Sequence, residues 1–126
     1  MAEECCVPGA NSMILACSGG SNVGQMANRA AVELTQEEFG KMFCLAGIGG
    51  HLSGFVQSAR DVLQMMAIDG CETGCAKATL EHAEVAMKGY LVVIGLGIEK
   101  NKNFTLKKEE VQKVKDAIRK ACSESA

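Results

Sequence analysis

Four apolar runs punctuate this chain, and glycine or a polar turn former stops each of them. Ser12-Met13-Ile14-Leu15-Ala16-Cys17 halts at Ser18-Gly19-Gly20-Ser21-Asn22 and reads as a short buried strand. Asn22 and Gln25 then approximate a helix-capping pair, and Val23, Met26, Ala27, Ala30, Ala31 and Leu34 recur at helical spacing. The second run, Lys41 to Ala46, stops at Gly47-Ile48-Gly49-Gly50, and a modest helix is predicted from Leu52 towards Arg60. The third, Leu63 to Ile68, stops at Asp69-Gly70, after which Thr73 is placed to cap a helix with Ala76, Leu80 and Ala83 on one face. Tyr90 to Ile94 is the fourth run, and its β-branched residues mark it as a strand. A polar link over 99–103 leads to a last helix from about Leu106 to Ala121, with Val111, Val114, Ile118 and Cys122 as its apolar stripe.

Strands that alternate with helices pair in parallel through right-handed crossovers, which puts helices on both faces of the sheet. The expected fold is therefore α/β, a single three-layer domain with a four-stranded parallel sheet in the order 2-1-3-4, Rossmann-like. Residues 1–11 are expected to be a flexible N-terminus and 12–126 the domain. In such sheets ligands bind beyond the carboxyl ends of the strands, where the strand order reverses. For this order that place lies beside strand 1.

Composition narrows the function. The chain has 126 residues, 48% of them apolar, enough for one substantial core. It has no Trp, one Tyr and four Phe, and its net charge of −2 comes from interspersed signs. Neither base stacking nor a basic track for nucleic acid is on offer. The start, Met1-Ala2-Glu3-Glu4-Cys5-Cys6, lacks the apolar stretch of a targeting signal, and Leu91 to Ile94 is too short to span a membrane. A soluble cytoplasmic protein is expected. In a reducing compartment, seven cysteines are better read as metal ligands or reactive thiols than as disulfides.

Cys17, Cys44 and Cys71 each stand at, or one step past, the carboxyl end of a predicted strand, and Cys75 follows a turn later. Neighbouring strands are about 4.8 Å apart, and sulfurs on a tetrahedral zinc are roughly 3.8 Å apart, so strand 1 in the middle makes convergence feasible. The spacing predicts a metal site of Cys17, Cys44, Cys71 and Cys75, with zinc as the cofactor. Asp69 and the backbone N–H groups of Gly19, Gly20, Gly49 and Gly50 would restrain the thiolate charge. Were Asp69 or His51 to replace one thiol, an open coordination position would follow. Against this stands the plain alternative that Cys17 and Cys44 are core residues, as buried free cysteines often are. Cys122 reads as packing, and Cys5 and Cys6 as part of an unstructured tail.

The turn Gly19-Gly20-Ser21-Asn22-Val23-Gly24 also invites a small anion, since amides at a helix start can cradle one. It is not a nucleotide loop, because Gln25-Met26 stands where Lys and Ser or Thr belong, nor does it match the dinucleotide fingerprint. A phosphatase loop would carry Arg where Val23 is. Cys71 and Cys75 are separated by three residues, one more than in a thioredoxin pair. Cys17 as a nucleophile or redox thiol beside a helix start is the main rival to metal ligation.

Three separated motifs carry a family resemblance: Cys17-Ser18-Gly19 with Gly24-Gln25 and Ala27-Asn28; Cys44-Leu45-Ala46-Gly47-Ile48-Gly49-Gly50; and Ile68-Asp69-Gly70-Cys71 with Cys75-Ala76 and Leu80-Glu81. In these the chain resembles the DGC-domain proteins, named for a tripeptide that here is Asp69-Gly70-Cys71, over roughly residues 14 to 100. The resemblance implies zinc binding through cysteines that correspond to Cys17, Cys44, Cys71 and Cys75, and it implies no particular reaction. Two uses are expected of such a protein: a zinc-thiolate site with a structural, carrier or sensor role, or a thiol- or zinc-dependent enzyme acting on a small anion at Gly19, Gly20, Ser21, Gly49 and Gly50. Its partners are then a metal ion and a small anion, with neither nucleic acid nor membrane. The sequence is silent on oligomeric state.

Overall fold

The computed structural model describes residues 12–125; the first eleven residues, with Cys5 and Cys6, lie outside it. Strand β1 (Ser12–Ala16) leads into α1 (Asn22–Gln36), β2 (Gly40–Met42), α2 (Leu45–Gly49) and α3 (Ser53–Asp61). Strand β3 (Met65–Asp69), α4 (Cys75–His82), β4 (Tyr90–Val92), a 3-10 turn (Val93–Leu96) and α5 (Lys108–Ser125) complete the chain. The four strands are all parallel and lie in the order β2-β1-β3-β4, as expected.

Alternation along the strands builds the three layers. Ile14, Met66 and Ile68 join α1 and α5 in one cluster, with Val23, Met26, Leu34, Val114 and Ile118. Met13, Leu15, Met65 and Ala67 point the other way, to Ile48, Ala59 and Leu80 under α2, α3 and α4. Successive strand residues face opposite sides, and both sides are covered, so the central strands are apolar without interruption. The stripe predicted on the last helix is the buried one, Cys122 included.

Local details depart from the sequence reading. Lys41 to Ala46 is not one strand: β2 stops at Met42, and Cys44 is the N-cap of α2, so the glycines after it belong to a helix. Leu63, expected inside β3, is 91% exposed and precedes it. The cap of α1 is Ser21, whose hydroxyl accepts from the Gly24 amide at 3.2 Å. Asn22 is instead the first helical residue. It donates from Nδ2 to the Glu99 carbonyl at 2.8 Å and accepts the Asn101 amide at 2.6 Å, tying the 99–103 link to the start of α1. Nor does Thr73 cap α4, which begins after Gly74 in the left-handed region, φ 70°. Tyr90 to Ile94 divides into a three-residue strand and the 3-10 turn.

Candidate functional site: a thiol-lined crevice at the carboxyl edge

The crevice beside β1 forms where three turns press together. A Cβ on Gly70 would come within 2.6 Å of the Gly24 nitrogen and 2.8 Å of the Val23 carbonyl carbon. A Cβ on Gly24 would in turn fall 2.7 Å from the Gly19 nitrogen. Only glycine permits that approach, which brings the turns after β1 and β3 and the start of α1 into backbone contact. Cys17 lies in the seam, and its sulfur accepts the Gly70 amide at 3.4 Å.

Asp69 is the anchor of the β3 side. It is 1% exposed, and its two carboxylate oxygens accept the Ala76 amide at 2.7 Å, the Lys77 amide at 3.1 Å and the Tyr90 hydroxyl at 2.7 Å. It therefore supplies the cap that α4 gets from no neighbouring side chain, at the end where the helix dipole favours negative charge. Burial, then donation to this carboxylate, pushes the Tyr90 hydroxyl well above the usual phenol range.

A pocket of about 310 Å³ opens between these turns, with Cys17, Cys71 and Cys75, Gly19, Gly20 and Ser21 along its wall. A second hollow, about 410 Å³, adjoins it and holds Cys44 and Gly49. Cys17 and Cys75 line both. All four sulfurs thus stand at the carboxyl edge, with Cys71 on one side of the shared pair and Cys44 on the other. Among the described residues no three His, Cys, Asp or Glu side chains are gathered closely enough to hold a metal. The Gly50 amide bonds to the Ala46 carbonyl at 2.9 Å, inside its own helix, and takes no part at the crevice.

The thiols differ in character. Burial raises the Cys17 thiol above its ordinary range, and amide hydrogen bonds from Gly70 and Gly19 offset only part of this. Cys71 is shifted the other way: the Thr73 hydroxyl at 3.4 Å acts first, then the Thr73 amide, with Lys100 Nζ at 3.4 Å adding its charge. Lys102 donates to the Gly20 carbonyl at 2.6 Å. Both lysines belong to the 99–103 link, and sequence reasoning passed over them because their approach depends on Asn22 pinning that link in place. Thr73 and Tyr90 were likewise missed as partners of the crevice.

His51, weighed as a ligand, does not reach these pockets; its Nε2 lies 2.9 Å from Nδ1 of His82. Neither imidazole lines the thiol pocket.

Fold and crevice define a doubly wound α/β protein with a thiol-lined crevice at the strand-order reversal. The chain belongs to the DGC domain family, which matches residues 13–118. It is similar to the anaerobic and virulence modulator AnvM of Pseudomonas aeruginosa, with 38% identity over 88 residues, covering 70% of this chain and 67% of that protein. No solved structure matches the chain. Among the described residues no helix is long and apolar enough to cross a membrane.

Proposed function

We propose that this protein binds a soft metal ion, zinc foremost, through Cys17, Cys44, Cys71 and Cys75, and that the ion is exchanged rather than built in. The carrying observation is that two of these thiols, Cys17 and Cys75, are common to adjoining pockets that between them hold all four. The donor type fits zinc, because thiolates select it over hard cations. Asp69 adds no ligand, since both its oxygens are engaged in holding α4 and Tyr90. It is a positioning residue for the turn that bears Cys71 and Cys75.

Openness argues for a carrier or sensor over a structural site. Structural zinc is closed by ligands that the fold gathers around it, and the domain then depends on the ion. Here the sheet and both cores are complete from apolar contacts, while Cys44 and Cys75 are exposed. Closing on an ion requires the turns that carry Cys44 and Cys71 to approach the shared pair. Bringing two loops together in this way is how metal occupancy would be reported to a partner. That the similar AnvM is named a modulator agrees with such a use.

The test is elemental analysis with X-ray absorption on protein purified without added metal. About one sulfur-ligated ion per chain is expected, with its loss in both Cys17→Ser and Cys71→Ser. Metal-free wild-type protein, or metal content indifferent to both changes, would sink the reading.

Lys100 and Lys102 favour a second use of the same pocket. With Gly19, Gly20 and Ser21 they surround Cys17 and Cys71 by cations and backbone dipoles, which suits a thiol-dependent reaction on a small anion. Thiol titration separates the two uses: ligating thiols become reactive only after chelation, whereas a nucleophilic thiol reacts from the start.

A further inference from the structure

We propose that His51 and His82 form a separate, labile site for a borderline divalent transition ion, outside the hollow that Cys44 and Cys75 line. The two imidazoles come from elements 31 residues apart and meet with His51 Nε2 2.9 Å from His82 Nδ1, their rings close to perpendicular at 77°. Both side chains are exposed, so their contact is not forced by core packing. Two nitrogens bound to one tetrahedral ion at about 2.0–2.1 Å stand about 3.3 Å apart, only a few tenths of an ångström more than this pair. The exposed rings need only tilt to aim both lone pairs at a common point.

The backbone at His51 supports the assignment. His51 lies in the left-handed region at φ 59°, directly after Gly50, with its amide held by the Ile48 carbonyl at 2.9 Å. That conformation costs an L-residue more than it costs glycine, and the imidazole it carries meets His82 of α4. On α4, Cys75, Thr79 and His82 follow one another at steps of four and three, and so share a face. Gly49 packs against that face, where a Cβ would meet Thr79 Cγ2 at 3.4 Å. His82 lies seven residues after Cys75 along α4, so the imidazole pair lies about 10 Å along the helix from that thiol.

In the neutral pair one ring donates its N–H to the other. When an ion binds, the two facing nitrogens become ligands and the donor ring carries its proton on its other nitrogen, so no proton leaves the pair. Water fills the remaining positions. Only two protein ligands make such a site quick to exchange.

The test is zinc titration of the full chain, followed by NMR of the imidazole nitrogens; with two histidines in the chain, both are assignable. His51 Nε2 and His82 Nδ1 are expected to shift together in one binding event. His82→Ala, or His51→Asn, which tolerates the left-handed backbone, should weaken that event at least tenfold. Cys17→Ser and Cys71→Ser should leave it in place, so it stands or falls independently of the thiol site. Imidazole nitrogens unmoved through several equivalents of zinc, a shift in one ring alone, or undiminished affinity in His82→Ala would each overturn it.

Discussion

On one face of the sheet α1 and α5, 15 and 18 residues long, close over a continuous apolar cluster. On the other, helices of 5, 9 and 8 residues cover the strands in pieces, with a hollow lined by Cys44, Gly49, Cys75 and Thr79 beside them. The long pair is also tied by charge. Lys115 on α5 is 5% exposed and reaches Glu33 at 3.0 Å and Glu37 at 2.5 Å, while Arg119 bonds to Glu37 and lies over Phe39. The contrast separates two tasks: the long layer holds the sheet and backs Cys17 and Cys71, and the broken layer presents short helix starts that carry Cys44 and Cys75, with the imidazoles at the far ends of the same helices. Regions that must rearrange around a ligand are drawn from the less tightly secured part of a fold.

Damage to the long layer should therefore cost stability and leave the crevice chemistry alone. Ile118 is fully buried between α5 and the sheet. Ile118→Ala removes three carbons from a packed site and is expected to destabilise by about 3 kcal/mol, lowering Tm by roughly 10 °C. Below the lowered Tm, thiol reactivity at Cys71 and metal content should match the wild type. If metal binding fell in step with Tm, the two layers would be one cooperative unit and the contrast would fail.

Acid probes the same layer more gently. Glu37 has its carboxyl held below the ordinary value of 4.5, first by the hydrogen bond from Lys115 and also by Arg119. A carboxylate depressed in the folded state contributes stability that is fully present above its unfolded pKa and is lost as pH falls through the folded one. Wild-type Tm should thus fall faster than that of Glu37→Gln as pH drops below about 4.5, with the two curves parallel above pH 6. The exposed position of Glu37 keeps this effect smaller than that of Ile118→Ala.

What was legible in the sequence follows the same division. Apolar runs bounded by glycine located β1 and β3, and the expected order 2-1-3-4, which the sheet has, puts the crevice beside β1. The DGC motifs pointed to the family that the chain matches. The broken layer was harder, because a continuous apolar run such as Lys41 to Ala46 has no period that tells strand from helix start. Cys44 therefore went to a strand end when it caps a helix. The cap of α4 was missed because its acceptor is remote, Asp69 serving amides seven and eight residues on, whereas at α1 the expectation fell one residue past the true cap, Ser21. The approach of Lys100 to Cys71 and the meeting of His51 with His82 span 29 and 31 residues, so they exist only once the sheet has formed.

The finest test acts within the crevice itself, on one hydroxyl. Thr73 Oγ1 lies 3.4 Å from Cys71 Sγ and is the largest influence holding that thiol below its ordinary value of 9.0. Thr73→Ala removes the hydroxyl and leaves the Lys100 contact, so the thiol rises part of the way back. At pH 7 less of it is then thiolate, and alkylation at Cys71 should slow by roughly two- to fivefold. The rate difference should close above the ordinary thiol range, where both proteins are ionised. Cysteine-resolved mass spectrometry of chelator-treated protein reads each thiol separately, with Cys17 as the internal comparison. Because burial and not Thr73 governs Cys17, its rate should not change. Equal slowing at both cysteines would mean that the substitution had shifted the whole turn, and the hydroxyl would lose its separate role.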